Sequence, residues 1–165
     1  MGHVRNGLVC LALTAVTAAA LAVSASPNAG SACHIAGALQ DSRCTPGLAL
    51  KGVTAKQVCK PGYAGSVRNV PDSEKREVYT RYGIPGDHHG SSYEVDHLIS
   101  LELGGSNDIR NLWPEAAQPL PGFHQKDKLE NDLHRSVCDG SMTLRGAQKL
   151  IRSNWLAAYR RLATG

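Results

Sequence analysis

The sequence predicts an α+β fold: a small ββα core with flanking helices, stabilised by disulfides. Three observations carry that expectation. Residues 93–138 run in order through a strand, a Gly-Gly turn, a short second strand, a Pro-containing loop and a helix. Apolar residues recur at helical spacing in that last helix and again near the C-terminus. Four cysteines lie beyond an N-terminal segment with the marks of an export signal.

That N-terminal segment sets the domain organisation. Met1 to Arg5 carries one cation, Leu8 to Val23 is almost wholly apolar, and Val23-Ser24-Ala25 is a small-residue exit. A charged start, a short apolar run and small residues at the end predict a signal peptide over residues 1–25 and a secreted protein. An uncleaved anchor is the alternative, but the run is short and alanine-rich for a membrane span. Gly30-Ser31-Ala32-Cys33 lacks the leucine that a lipoprotein signal needs. The net charge of +4 falls to +3 once Arg5 leaves with the signal, which suits a polyanionic substrate without demanding one.

Residues 26–42, small and Gly/Ala-rich, read as a flexible arm, with the domain proper over residues 43–165. Thr45-Pro46-Gly47 and Lys60-Pro61-Gly62 are turn signals. The segments Gln57–Cys59 and Ser66–Val70 read as short strands or extended coil. Asp72 to Tyr82 reads as a helix capped by Asp72 or Ser73 and ended by Gly83. Gly86 to Ser92 is a polar loop containing His88 and His89, candidates for metal or phosphate contact.

Tyr93 to Leu103 reads as a strand running into a bend, and Gly104-Gly105-Ser106-Asn107-Asp108 as a turn. Asn111 to Pro114 is a second strand, stopped by its proline, with Trp113 as a core anchor. A helix over residues 125–137 shows Leu129, Leu133 and Val137 on one stripe. A last helix over residues 143–162 buries Leu144, Ala147, Leu150, Ile151, Trp155, Ala158 and Leu162. Its outer face carries Arg145, Lys149, Arg152, Arg160 and Arg161.

Cys33, Cys44, Cys59 and Cys138 allow three disulfide pairings. Cys59–Cys138 with Cys33–Cys44 is favoured, because a clip from the end of the strongest helix would close a long loop and restrain the unfolded chain most. No close cysteine pair is present to start a structural zinc site.

Hydrolysis of a phosphodiester needs a group that takes a proton from water near neutral pH, and histidine suits this best. It also needs a divalent ion held by a carboxylate or imidazole. Asp96 and His97 are neighbours, so on a regular strand they would face opposite ways. A bend starting at His97 would let them share a site. His124, ahead of the following helix, could reach back to them.

The run Asp96-His97-Leu98-Ile99-Ser100-Leu101-Glu102-Leu103-Gly104-Gly105-Ser106-Asn107-Asp108, then Asn111-Leu112-Trp113-Pro114-Glu115 and His124-Gln125-Lys126-Asp127, resembles the HNH (ββα-metal) endonucleases. The resemblance covers roughly residues 93–138. The segment Val67-Arg68-Asn69-Val70 is similar to the leader of small exported HNH-like proteins of bacteria. The resemblance implies that His97 is the general base, Asp96 a metal ligand and His124 the ligand in the third position, with Asn131 and His134 as alternatives. It implies that Asn111 fixes the loop and orients His97. Ser100 departs from the proline that many members carry, which alters loop stiffness. Arg68, Arg110 and Lys126 are candidate phosphate contacts, and Glu94 and Glu102 candidate helpers of the metal.

The function expected is a secreted, metal-dependent endonuclease of low sequence specificity, a monomer acting on nucleic acid, DNA first. It would have no stable membrane association once the signal is cleaved. Mg²⁺ is the expected ion, with Mn²⁺ or Zn²⁺ as alternatives. The alternative is a non-catalytic exported binding protein on the same scaffold.

Overall fold

A computed structural model describes residues 1–3, 33–84 and 92–163 of the chain. The chain divides into two units, Met1–Gly30 and Ser31–Gly165. In the first, Met1 to His3 are exposed. The expected signal peptide beyond them, and His88 and His89, lie outside the described residues. Among the described residues no helix is long and apolar enough to cross a membrane.

The second unit is a mixed α/β fold with a two-stranded antiparallel sheet. Its elements are α1 (Ala55–Val58), α2 (Tyr63–Val67), α3 (Asp72–Arg81), β1 (Tyr93–His97), β2 (Leu112–Ala116), α4 (Phe123–Cys138) and α5 (Leu144–Ala163). The strands pair from Tyr93 opposite Ala116 to His97 opposite Leu112. Pro114 does not stop β2. It sits inside the strand opposite Val95, where a two-stranded sheet tolerates a residue without an N–H because an outer edge needs no donor.

The stretch 55–67 forms α1 and α2 rather than strands. The capping signal was local: the Thr54 N–H donates to Gln57 Oε1 at 2.9 Å, the return half of a capping box. α3 starts after Pro71, which acts as its cap residue without a side-chain bond, so neither Asp72 nor Ser73 caps it. Thr143 caps α5, accepting from the Gly146 N–H at 3.1 Å. α5 is not one regular helix. Asn154 has φ −169° and ψ 88°, and its Oδ1 accepts from the Ala157 N–H at 2.8 Å. Asn154 therefore ends one helical segment and caps the next.

The core is built where α4 and α5 pack on the sheet and its turn. Leu129, Leu133 and Val137 of α4 meet Ala147, Ile151, Trp155 and Ala158 of α5, with Trp113, Leu98, Ile99 and Leu103 beneath them. Leu162, expected in this face, is 49% exposed. The supposed arm is part of the fold from Cys33 onward. Cys33 is buried, donates its N–H to Arg81 O at 3.0 Å and is bonded to Cys44. The second disulfide joins Cys59 to Cys138, so both expected pairings are present. Cys59 follows α1 and Cys138 ends α4, so the bond ties the N-terminal helices to the helix that covers the sheet.

Candidate active site

The turn after β1 decides what Asp96 and His97 can do. His97 is the last residue of the strand, and the Leu98 N–H already donates to Asn111 O at 2.8 Å. The chain then folds into a 3-10 turn at Leu101–Leu103 and leaves it through Gly104 at φ +73°. Gly105 cannot carry a side chain, because a Cβ there would sit 1.7 Å from Ile99 O. The bend brings both neighbours to one place: Asp96 and His97 line a single cavity of about 310 Å³ with Arg68, Ser100, Glu102, Asp127, Glu130 and Asn131.

Asn111 is fully buried and locks this turn. Its Oδ1 accepts from the N–H of Leu48 at 3.1 Å and of Ile99 at 3.0 Å. Its Nδ2 donates to Ile99 O at 3.0 Å and Ser106 O at 2.8 Å. All four of its hydrogen-bonding positions are used. It touches the loop after His97 and not the imidazole itself.

The imidazole is held by Asn107. His97 Nε2 lies 3.1 Å from Asn107 Oδ1, and Asn107 Nδ2 donates to Val67 O at 2.8 Å. Asn107 thus links the end of α2 to His97. Burial pushes the His97 imidazole below the usual histidine range, against the opposing pull of the Asp96 charge. It is therefore neutral near pH 7, the form that can accept a proton.

Lys126 is not a phosphate contact. Its side chain is fully buried, and its ammonium donates to Asp96 Oδ2 and Glu130 Oε1 and to His97 O at 2.8 Å. Glu115 Oε2 is 3.7 Å away. Helical spacing puts Lys126 on the inner side of α4 beside Leu129, so a long cation had to be buried, and a buried cation needs paired carboxylates. Burial would lower the Lys126 ammonium, but Asp96, Glu130 and Glu115 hold it well up and charged. Burial would raise Asp96, yet Lys126 holds it below the ordinary carboxylate range. Burial pushes Glu130 to about 8 and Glu115 well up. Glu94 is also raised by burial and by Asp96, to about 7.

The remaining expected residues divide. Arg68, exposed at the end of α2, lines the cavity with His97. Arg110 instead pairs with its neighbour Asp108 at 2.7 Å, and its guanidinium is committed there. His124 does not join Asp96 and His97. Its side chain is 72% exposed on the first turn of α4, 3.9 Å from Asp127, and it does not line the cavity. Cavity-facing positions on α4 begin at Asp127 and continue at Glu130 and Asn131, spaced three and four residues apart. Asn131, weighed as an alternative third position, is among them; His134 is not. His134 Nε2 faces Val58 O at 3.1 Å and Cys138 Sγ at 3.4 Å.

Cys59, His134 and Cys138 offer possible metal-ligand atoms within 4.8 Å of one another. With the two sulfurs joined as a disulfide, neither is the thiolate that binds a metal. Asn107, Asp127 and Glu130 were not among the site residues expected from the sequence. Asn107 sits in a run that reads wholly as turn. Asp127, Glu130 and Asn131 could have been found as a polar stripe next to the leucine stripe of α4.

No family model, curated protein or solved structure matches this chain.

Proposed function

We propose that the chain is an exported, metal-dependent nuclease that hydrolyses phosphodiester bonds in nucleic acid, DNA first, with little sequence specificity. The observation that carries this reading is the meeting of a neutral buried His97 and an ionised Asp96 in one cavity that Arg68 also lines. The resemblance of residues 93–138 to HNH endonucleases supports it. His97 takes a proton from water, and the water oxygen attacks phosphorus. The bond from phosphorus to the leaving oxygen breaks, and that oxygen gains a proton from solvent. Arg68 holds a phosphate oxygen of the bound strand.

Asp127, Glu130 and Asn131 line the cavity with Asp96, and each offers an oxygen of the kind a hard divalent ion takes. Asp96 would hold Mg²⁺ with water in the remaining positions and these groups bonding the coordinated water, in place of the expected set with His124. The ion would neutralise charge on the phosphate and on the leaving oxygen. No base-reading module is present among the described residues, in keeping with low specificity.

One observation favours the alternative, a non-catalytic binding protein. The Lys126 ammonium already bonds Asp96 and Glu130 and so supplies the positive charge that a metal would bring. Plasmid nicking by the refolded chain with Mg²⁺, Mn²⁺ or Zn²⁺, beside His97→Ala, separates the two. The nuclease reading requires wild type to nick at least a hundredfold faster with one of these ions. Equal rates under all three would leave the binding protein.

A further inference from the structure

The acidic and basic residues of this chain are segregated in a way the cavity at His97 does not use. From Gly140 to Gly165 there is no Asp or Glu, against five cations: Arg145, Lys149, Arg152, Arg160 and Arg161. An ordinary solvated helix mixes signs and gains from pairs of opposite charge four residues apart. α5 makes none within itself.

Three of these cations are arranged together. Arg145, Lys149 and Arg152 are exposed and line one open hollow of about 390 Å³, floored by Ala49 and Ile99. Their spacing of four and three residues puts them on one face. Among the described residues they take part in no ion pair. The face is also held firmly. Gln148 Nε2 donates to Leu103 O at 2.8 Å. The Arg152 stem lies over Gly47, where a Cβ would come within 2.7 Å of Arg152 Cγ. Glycine there lets the arginine lie flat against the chain while its charged end stays out.

The position of the hollow adds a second point. Ile99 lines it, and Ser100, the next residue, lines the cavity of Asp96 and His97. The two depressions meet at neighbouring residues of one turn. Arg145 to Arg152 spans about 10 Å along the helix, roughly three base-pair rises of a duplex.

We infer that Arg145, Lys149 and Arg152 form a track for the phosphate backbone of nucleic acid, holding the strand beyond the bond presented to His97. This rests on the nuclease reading for its purpose, but the binding itself needs neither metal nor cleavage. The track contacts phosphates alone, so it adds affinity without reading sequence.

The test is binding of a labelled duplex of twenty base pairs in EDTA across a salt series. Variants are Arg145→Gln/Lys149→Gln, both exposed, and Lys75→Gln/Arg76→Gln on α3 as an equal-charge control. The expected result is a slope of log affinity against log salt that is shallower by about 2 in the α5 variant, from two lost phosphate contacts. The control keeps the wild-type slope. The inference is overturned if wild type does not bind the duplex, if both variants lose slope equally, or if neither does. Binding to vesicles rich in anionic lipid in preference to the duplex overturns it too. Loss of slope in the α5 variant of a chain that nicks no plasmid would sink the nuclease reading and keep the track.

Discussion

His97 and Asn107 form a pair in which the orientation of one fixes the proton of the other. Asn107 Nδ2 is committed to Val67 O at 2.8 Å, so Oδ1 is the atom that faces His97 Nε2 at 3.1 Å. An amide oxygen can only accept, so Nε2 carries the proton and Nδ1 is left with a free lone pair. The Asn69 N–H, 3.3 Å from the same oxygen, confirms its role as acceptor. Asn107→Leu therefore loosens both tautomer and ring position. The expected outcome is a fall of about 10- to 100-fold in kcat with little change in KM, measured on plasmid DNA. Asn107→Asp keeps the acceptor and adds a negative charge beside the imidazole. It should move the acid limb of the pH–rate profile upward.

The four hydrogen bonds of Asn111 make it a structural keystone of the turn. Asn111→Ala strands buried N–H and C=O groups of Leu48, Ile99 and Ser106, each costing about 1 kcal/mol or more. The expected loss is about 3 kcal/mol, read by urea unfolding. Asn111→Asp should recover little, because it restores the acceptor and not the donor.

Lys126→Met tests the buried cluster. Removing the ammonium leaves Asp96 and its neighbours without a counter-charge, and breaking such a pair costs about 3–5 kcal/mol. Divalent metal should offset part of that loss. The expected readout is a rise in Tm on adding Mg²⁺ that is larger in Lys126→Met than in wild type. An equal rise in both would show that the ion does not take the place of the ammonium.

The pH dependence of stability follows from Glu130. Its carboxyl has a folded value raised to about 8, above that of the unfolded chain. The contribution is complete below the unfolded value near 4.5 and is lost as pH rises through about 8. In EDTA, Tm should fall between pH 5 and pH 8, and Glu130→Gln should flatten that fall. A Tm that climbs over this window in wild type would contradict it.

The two disulfides differ in reach, spanning 79 and 11 residues. Loop-closure entropy assigns about 4.5 kcal/mol to Cys59–Cys138 and about 2.8 kcal/mol to Cys33–Cys44. Paired Cys→Ser variants should lose stability in that order in denaturant titrations.

What could be read from the sequence was set by local signals. The leucine stripe of α4 and the Gly104-Gly105 turn follow from periodicity and steric need, and the bend they support brings Asp96 and His97 to one cavity. The disulfide pairing followed from loop length. Lys126 could not be read, because a lysine at the edge of a helix stripe looks exposed until its carboxylate partners from β1, β2 and α4 are assembled in space. His124 misled for a related reason. Its nearness to the motif is one of sequence, whereas the helical turn that faces the cavity starts three residues later. α1 and α2 were missed because four- and five-residue helices carry too little periodicity to distinguish them from extended chain. The break at Asn154 was not read, because the apolar pattern of α5 continues across it.

The Cys59–Cys138 bond makes residues 59–138 a covalent ring that contains β1, β2 and α4. The ring includes Asp96, His97, Asn107, Asn111 and Lys126. The segment Gln118 to Leu120, between β2 and α4, is exposed and lies within it. A protease that cuts there opens the ring without releasing a fragment. The two new ends stay joined through sulfur, and such a nicked chain migrates as one species until it is reduced. Tolerance of a single backbone cut is thus built into the part of the molecule where the proposed chemistry sits.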